Sequence, residues 1–157
     1  MRQRQAIALL ALVGLFLALY LWLYKIGIIG TLQCGSGACE QVQTSRYAEL
    51  FGIPVAFYGV VGYAALLAVA LLGLRPRFLA ERRVTLALAL LSSAGLLLTL
   101  YLTYLELFVI HAICRWCVGS ALIIVAIFVL ALLDRRRLAQ RGVAGSAPRT
   151  SAPGSTE

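Results

Sequence analysis

Four long runs of apolar residues, separated by short polar or basic segments, dominate the hydrophobic pattern of the chain. The runs cover residues 6–24, 54–74, 84–110 and 114–133. A helix of roughly 20 apolar residues crosses the hydrocarbon core of a bilayer. Each run is close to that length or longer, and we therefore predict four transmembrane helices joined by a loop over residues 25–53 and by a short turn between the second and third.

The composition supports a membrane protein. Hydrophobic residues make up 62% of the 157 residues and charged residues only 13%, whereas soluble proteins contain about 25% charged residues. A chain of this length has too little interior to hide so much apolar surface from water. We therefore predict an all-α integral membrane fold, a four-helix bundle over residues 1–134, followed over residues 135–157 by a basic and then disordered tail.

Basic residues are distributed unevenly between the two ends of the predicted helices. Of 14 Lys and Arg residues, 11 precede the first helix, separate the second from the third or follow the fourth; the other three are Lys25, Arg46 and Arg115. The positive-inside rule then places both termini in the cytoplasm and residues 25–53 outside. Because no basic face is interleaved with aromatic residues, we do not assign the net charge of +8 to nucleic-acid binding.

The four cysteines all fall on the side predicted to be external. Cys34 and Cys39 lie in the loop, and Cys114 and Cys117 open the fourth helix. That side is oxidising, and in a bacterium it is the periplasm or the cell exterior beyond the inner membrane. The i, i+3 spacing puts Cys114 and Cys117 on one face of a helix start, where the macrodipole favours a reactive thiolate. This arrangement predicts a redox-active pair.

Two other uses of the cysteines stay open, namely structural disulfides and zinc ligation. Four cysteines suit a tetrahedral zinc site, but Cys34 and Cys39 are separated by Gly-Ser-Gly-Ala, which favours a mobile loop over a tight knuckle. A mobile pair beside a fixed pair indicates a relay through mixed disulfides. The chain has no glycine fingerprint for a dinucleotide and no second histidine for a bis-histidine haem, so a membrane quinone is the predicted electron acceptor.

Two segments carry a resemblance to a known family: CGSGACEQVQTSRYAELFGIPVAFYGVVGY, which starts at Cys34, and YLTYLELFVIHAICRWCV, which ends at Val118. A loop cysteine pair, a loop serine, Gly-Ile-Pro opening the second span and Cys-x-x-Cys opening the fourth occur in that order. The chain resembles the bacterial homologues of vitamin K epoxide reductase, from about Tyr24 to Leu130. The resemblance implies four helices around a quinone pocket, covered by the external loop and a short half-helix.

The resemblance also implies roles for individual residues. Cys114 and Cys117 would form the active-site pair, with Cys117 facing the quinone, while Cys34 and Cys39 would form a shuttle pair. Cys39 would bridge transiently to Cys114, and Cys34 would engage the protein partner. Ser45 matches the family's loop serine beneath the cap, where it supports the pocket.

Further polar and aromatic residues near the external boundary are candidates for the site. From the aromatic residues there, most of which fit an interfacial belt, we expect Phe57 and Tyr104 to line the quinone site. Glu106 is an acid within the third span and is a candidate proton acceptor. His111 lies three residues before Cys114, where an interfacial anchor is the simpler role.

These features predict a membrane thiol oxidase. We expect it to pass electrons from a reduced, separate thioredoxin-like protein through the two cysteine pairs to ubiquinone or menaquinone, making disulfides for exported proteins. One alternative is reduction of vitamin K epoxide by the same thiols. The others are a cysteine-ligated metal-binding membrane protein and a bundle with purely structural disulfides.

Overall fold

The structure, a computed structural model, describes residues 2–34, 38–75 and 82–145. The helices are α1 (Arg2–Lys25), α2 (Ala38–Thr44), α3 (Val55–Leu72), α4 (Arg82–Leu105) and α5 (Arg115–Gly145). A single 3₁₀ turn, Arg46–Ala48, follows α2, and the two-residue strands β1 (Glu49–Leu50) and β2 (Ile53–Pro54) pair in antiparallel fashion before α3. The last turn of α4 continues as a π-helix, Glu106–Ile110.

The predicted four-helix membrane fold is confirmed. Within the described residues, four helices are long and apolar enough to cross a membrane, namely Arg2–Lys25, Val55–Leu72, Arg82–Ile110 and Arg115–Arg137. The described part of the segment between α1 and α3 folds over one end of the bundle, and we call α2, the 3₁₀ turn and the β1–β2 hairpin the cap. The helix in the cap agrees with the half-helix that the family resemblance implies.

Helix α5 extends further than the fourth predicted span. It continues through the basic cluster Arg135–Arg137 to Gly145, so the start of the predicted tail is helical. Arginine is a good helix former, and extending an existing helix avoids the cost of nucleating a new one. The rest of the tail, from residue 146 onwards, lies outside the described residues.

Small residues let the four long helices approach closely, while large apolar residues face outwards. Helix α1 packs against α3 and α5, and α4 packs against α5 and α3. The inner face of α1 carries Ala8, Ala11, Gly14 and Ala18. Leucine and phenylalanine side chains with exposures of 63–71% lie on the outer surface: Leu9, Phe16, Leu90, Leu97 and Leu122. Lipid is as apolar as these side chains, so close packing rather than apolar burial holds such a bundle together.

A buried polar cluster joins all four long helices at the end opposite the cap. The Arg4 guanidinium, on a residue only 2% exposed, donates to Asp134 Oδ2 at 3.1 Å, to the Gly73 carbonyl at 2.8 Å and to Thr85 Oγ1 at 3.0 Å. Thr85 in turn donates to Asp134 Oδ2 at 3.2 Å. The ion pair therefore neutralises both charges, and Arg4 also satisfies a carbonyl at the end of α3.

Removing the Arg4 guanidinium is expected to destabilise the protein strongly. Arg4→Met leaves the half-buried Asp134 carboxylate without its cation, and the cost of breaking a fully buried pair, about 3–5 kcal/mol, is an upper limit here. Thermal unfolding in detergent should show a clear fall in Tm, partly recovered in Arg4→Met/Asp134→Leu. Arg2→Met is the matched control, since Arg2 is exposed. Equal Tm values for Arg4→Met and Arg2→Met would contradict a stabilising role for the cluster.

Candidate active site

A disulfide joins Cys34, in the segment between α1 and α2, to Cys39 in the cap, and their Cα atoms are 6.1 Å apart. The Cys34 N–H donates to the Leu32 carbonyl at 2.8 Å, Cys39 lies in the first turn of α2, and both cysteines are buried. Glu40 Oε1 accepts the Leu32 N–H at 3.3 Å, which holds this segment against α2. Residues 35–37, on which the expectation of a mobile loop depends, lie outside the described residues.

Lysine 25, at the end of α1, ties the cap to the bundle. Its ammonium group donates to the Gln43 carbonyl at 3.0 Å and pairs with Glu49 Oε1 at 3.2 Å. The first contact anchors the end of α2 and the second anchors β1. Together with the bond between Glu40 and Leu32 at the start of α2, these contacts fix the position of the disulfide above the bundle.

Cys114 and Cys117 are free thiols at the first turn of α5. The Cys114 carbonyl accepts the Val118 N–H at 3.0 Å, and its Sγ accepts the Cys117 N–H at 3.4 Å. Cys114 thus occupies the N-cap of α5, where its sulfur takes the part of a capping side chain. A hydrogen bond from the Cys117 thiol lowers the pKa of the Cys114 thiol, against opposing effects of burial and of the Glu106 charge. The position at the helix N-terminus therefore favours negative charge on the Cys114 sulfur during thiol–disulfide exchange.

The two cysteine pairs meet in one cluster of packed side chains. Cys34, Cys39 and Cys114 are among its buried members, and Cys117 packs against it together with Trp116. The other members come from the end of α1, the segment before α2, the cap, the start of α3 and the chain between α4 and α5: Tyr20, Leu21, Tyr24, Leu32, Ala38, Val42, Ala56, Ile110 and Ala112. The fold thus brings together the predicted shuttle pair and the predicted active-site pair, which are 75 or more residues apart in the sequence.

Glu106 approaches the same thiols from α4. The residue is 6% exposed, and its Oε2 accepts the Cys114 N–H at 3.3 Å. Its own carbonyl accepts the His111 N–H, which closes the π-helical turn, and also the Ala112 N–H at 3.2 Å. The chain then reverses at His111, which has a left-handed backbone with a φ of 53° and an exposed side chain. His111 therefore shapes the turn, and its imidazole does not lie against the thiols.

A cavity of about 480 Å³ lies beneath the cap, between the four long helices. Most of its lining is apolar, including Leu66, Leu91, Leu98 and Ile124. At the cap end the polar lining residues are Gln43, Ser45, Glu106 and Cys117. Further along the wall, the polar lining residues are Tyr63, Thr99, Thr103 and Ser120. The cavity is thus an apolar chamber with one polar end, and a thiol lies at that end.

Three of the four residues predicted to contact the quinone line this cavity. Cys117, Ser45 and Phe57 are among its lining residues, and Ser45 Oγ donates to the Val42 carbonyl at 2.7 Å, which braces the end of α2. Tyr104 instead lies on the outer surface, 56% exposed, outside the set of described residues that line the cavity. Its ring packs on Phe108 with centroids 5.0 Å apart.

Sequence analysis missed two residues of this site. Gln43 is only 8% exposed, and its Nε2 lies 3.9 Å from Cys117 Sγ, to which it donates. Its i, i+4 spacing from Cys39 puts both on one face of α2, a signal that could have revealed it. Tyr63 bonds to Ser120 at 2.9 Å, and its ring occupies the space beside Gly14, where a Cβ would lie 2.6 Å from Tyr63 Cδ1. Its place in the middle of the second predicted span, away from both interfaces where belt residues lie, is a signal that could have revealed it.

The described residues offer a metal ion no ready site. Among residues 2–34, 38–75 and 82–145, no group of three or more His, Cys, Asp or Glu side chains is placed to hold one. Two of the four sulfurs that a zinc site would use, those of Cys34 and Cys39, are bonded to each other. The four sulfur atoms therefore form one disulfide and one pair of free thiols.

A comparison with protein families matches residues 5–132 to the model of the Vitamin K epoxide reductase family. The chain belongs to that family. The match includes the cap, the four cysteines and nearly all of the four long helices. This member of the vitamin K epoxide reductase family is thus an integral membrane oxidoreductase, of a family whose chemistry runs through disulfides and quinones. The resemblance inferred from the two sequence segments is confirmed.

Proposed function

We propose that the protein is a membrane thiol oxidase that transfers two electrons from a reduced thioredoxin-like protein to a membrane quinone and so supplies disulfides to exported proteins. The observation that carries the proposal is the position of Cys117. Its side chain packs against the cluster that holds the Cys34–Cys39 disulfide, and it also lines the apolar cavity. A thiol in that position can exchange electrons with the cap on one side and with a lipid-soluble acceptor on the other.

The observed pairing of the cysteines fits one step of this relay. In that step a thiolate of the reduced shuttle pair attacks the Cys114–Cys117 disulfide, and the resulting mixed disulfide resolves into a Cys34–Cys39 disulfide and two thiols. Cys34–Cys39 bonded, with Cys114 and Cys117 free, is the product of that exchange. The next event is electron transfer from the two thiols to the acceptor.

The cavity suits a quinone in volume and in the arrangement of its lining. Its volume lies within the range of about 300–1,000 Å³ typical of small-molecule sites. Gln43, Ser45 and Glu106 would surround the polar ring beside Cys117, and the apolar wall would hold an isoprenoid tail. When bound, the quinone supplies a two-electron, two-proton acceptor; the protein orients it and holds the dithiol.

The proposed orientation puts the cap outside the cell membrane and both termini in the cytoplasm. The distribution of basic residues, 11 to 3, supports it. Lys25, Arg46 and Arg115 lie at the cap end, whereas the basic residues that flank the other helix ends include Arg2, Arg82 and Arg135. This orientation exposes the cap to an oxidising compartment, where its protein partner also resides.

Quinone reduction by the purified protein tests the proposal. With a reduced thioredoxin-like donor, we expect ubiquinone or menaquinone to be reduced at one quinol per donor disulfide formed, as followed by ultraviolet absorbance and thiol titration. Omitting the donor should stop the reaction. Folded protein that reduces vitamin K epoxide but neither quinone would overturn the oxidase assignment in favour of the family's reductase chemistry.

A further inference from the structure

We infer that Glu106 is a catalytic residue of the relay, the base that receives the proton of the Cys117 thiol and passes it to the quinone. The inference depends on the thiol oxidase function proposed above. It begins from two observations on the same carboxyl group, which accepts the backbone N–H of Cys114 and lines the cavity together with Cys117.

The contacts of Glu106 hold its carboxylate at the reacting sulfurs. Oε2 accepts the Cys114 N–H at 3.3 Å, and the carboxyl group lines the same cavity as the Cys117 thiol. No ion pair among the described residues involves Glu106, so no cation competes with a proton for it. A buried acid within a membrane helix is costly, and it marks a proton or substrate path by default.

The backbone at the end of α4 departs from regular α-helical geometry where Glu106 approaches the thiols. The π-helix starts at Glu106, and the left-handed His111 follows it. π-helical turns occur frequently at functional sites, and a non-glycine residue adopts the left-handed region only rarely. A structural bond to the Cys114 N–H alone does not need an ionisable side chain, since a glutamine oxygen accepts it equally well.

The proton and electron balance assigns Glu106 a defined step. The Cys117 S–H bond breaks and its proton moves to a Glu106 oxygen, while the Gln43 amide donates to the sulfur left behind. Two electrons leave the pair as the Cys114–Cys117 S–S bond forms, and the quinone receives them. One quinol proton comes from Glu106 and the other is that of the Cys114 thiol. Oxidation of one dithiol thus matches reduction of one quinone, and Glu106 is regenerated as a carboxylate.

Glu106→Gln separates proton transfer from the structural bond, because glutamine keeps the acceptor for Cys114 N–H but cannot receive a proton. We expect the single-turnover rate of quinone reduction to fall by about 10²–10⁴-fold, with partial recovery in Glu106→Asp. The reference is the wild-type rate, and the Tm of each variant in detergent shows whether its fold is retained. A folded Glu106→Gln variant that reduces quinone at the wild-type rate would overturn the inference.

The pH profile and an infrared measurement add readouts that a structural role would not change. The pH dependence of the wild-type rate should include an ionisation that is missing from the profile of Glu106→Gln. The other titratable groups at the site are Cys114 and Cys117, with Tyr47, Tyr58 and Tyr63 on the cavity wall. Without any quinone, the infrared difference between dithiol and disulfide forms should contain a carboxylate band, because the carboxylate loses the Cys117 S–H beside it when the disulfide forms, and Glu106→Gln should lack that band. Absence of that band from the wild-type spectrum would overturn the inference even if the variant did not fold.

These experiments also distinguish a failure of the Glu106 inference from a failure of the thiol oxidase proposal on which it rests. Wild-type protein that reduces no quinone would refute the thiol oxidase proposal itself. Wild-type protein that reduces quinone, together with a Glu106→Gln variant of equal rate and unchanged pH profile, would refute only the role of Glu106.

Discussion

Replacing Cys117 with alanine should abolish quinone reduction with every electron donor, protein or small dithiol. Of the four cysteines, Cys117 is the one that lines the cavity, and Cys114 alone cannot form the intramolecular disulfide that releases both electrons. Deletion of an enzyme nucleophile usually lowers turnover by several orders of magnitude, and we expect a loss of at least about a thousandfold here. The measurement is the steady-state rate of quinol formation by purified protein with each donor.

The control for Cys117→Ala is the state of the cap. The Cys34–Cys39 disulfide should persist in the variant, as shown by thiol labelling before and after reduction, because neither cysteine depends on Cys117 for its partner. Cys114→Ala should give the same loss, since both sulfurs of the pair are needed. Quinone reduction that continues with a small dithiol in Cys117→Ala would show that the electrons leave from another sulfur.

The spans and the fold class were predictable because membrane insertion depends on the length of an apolar run. Each of the four predicted spans overlaps an observed helix, and α1 and α3 end within a few residues of the prediction. Lipid contacts make both faces of such a helix apolar, however, so the pattern does not show which face turns inwards. For this reason the pattern could not distinguish Phe57, which lines the cavity, from Tyr104, which lies on the outer surface.

The cysteines of the site could be predicted, but the groups around them could not. Cys114 and Cys117 are recognisable from spacing at a helix start, and their meeting with Cys34 and Cys39 follows from chain topology. The approach of Glu106 depends instead on a five-residue π-helix, which changes the register of the helix end without a distinct hydrophobic pattern. The pairing of Arg4 with Asp134, 130 residues apart, likewise depends on how the helices are arranged.

Replacing Cys34 with alanine should separate the two classes of donor. We expect oxidation of the thioredoxin-like protein to stop, because that partner exchanges with the shuttle pair and a lone Cys39 cannot re-form the shuttle disulfide. A small dithiol needs no protein docking surface and can reduce the Cys114–Cys117 disulfide directly, so its rate should stay within about tenfold of wild type. The two rates are measured side by side, with the same quinone and the same preparation.

The fate of Cys39 in this variant gives a second, independent test of the relay. Cys39 and Cys114 are both fully buried members of one side-chain cluster, so a Cys39 thiol without its partner should attack the active-site disulfide and remain bonded to Cys114. Non-reducing mass spectrometry should detect that bridge in Cys34→Ala, whereas Cys34→Ala/Cys39→Ala, the matched control, cannot form it. If Cys34→Ala oxidised the protein donor at the wild-type rate, electrons would enter at Cys114 and Cys117 without the cap, and the order of the relay proposed here would be wrong.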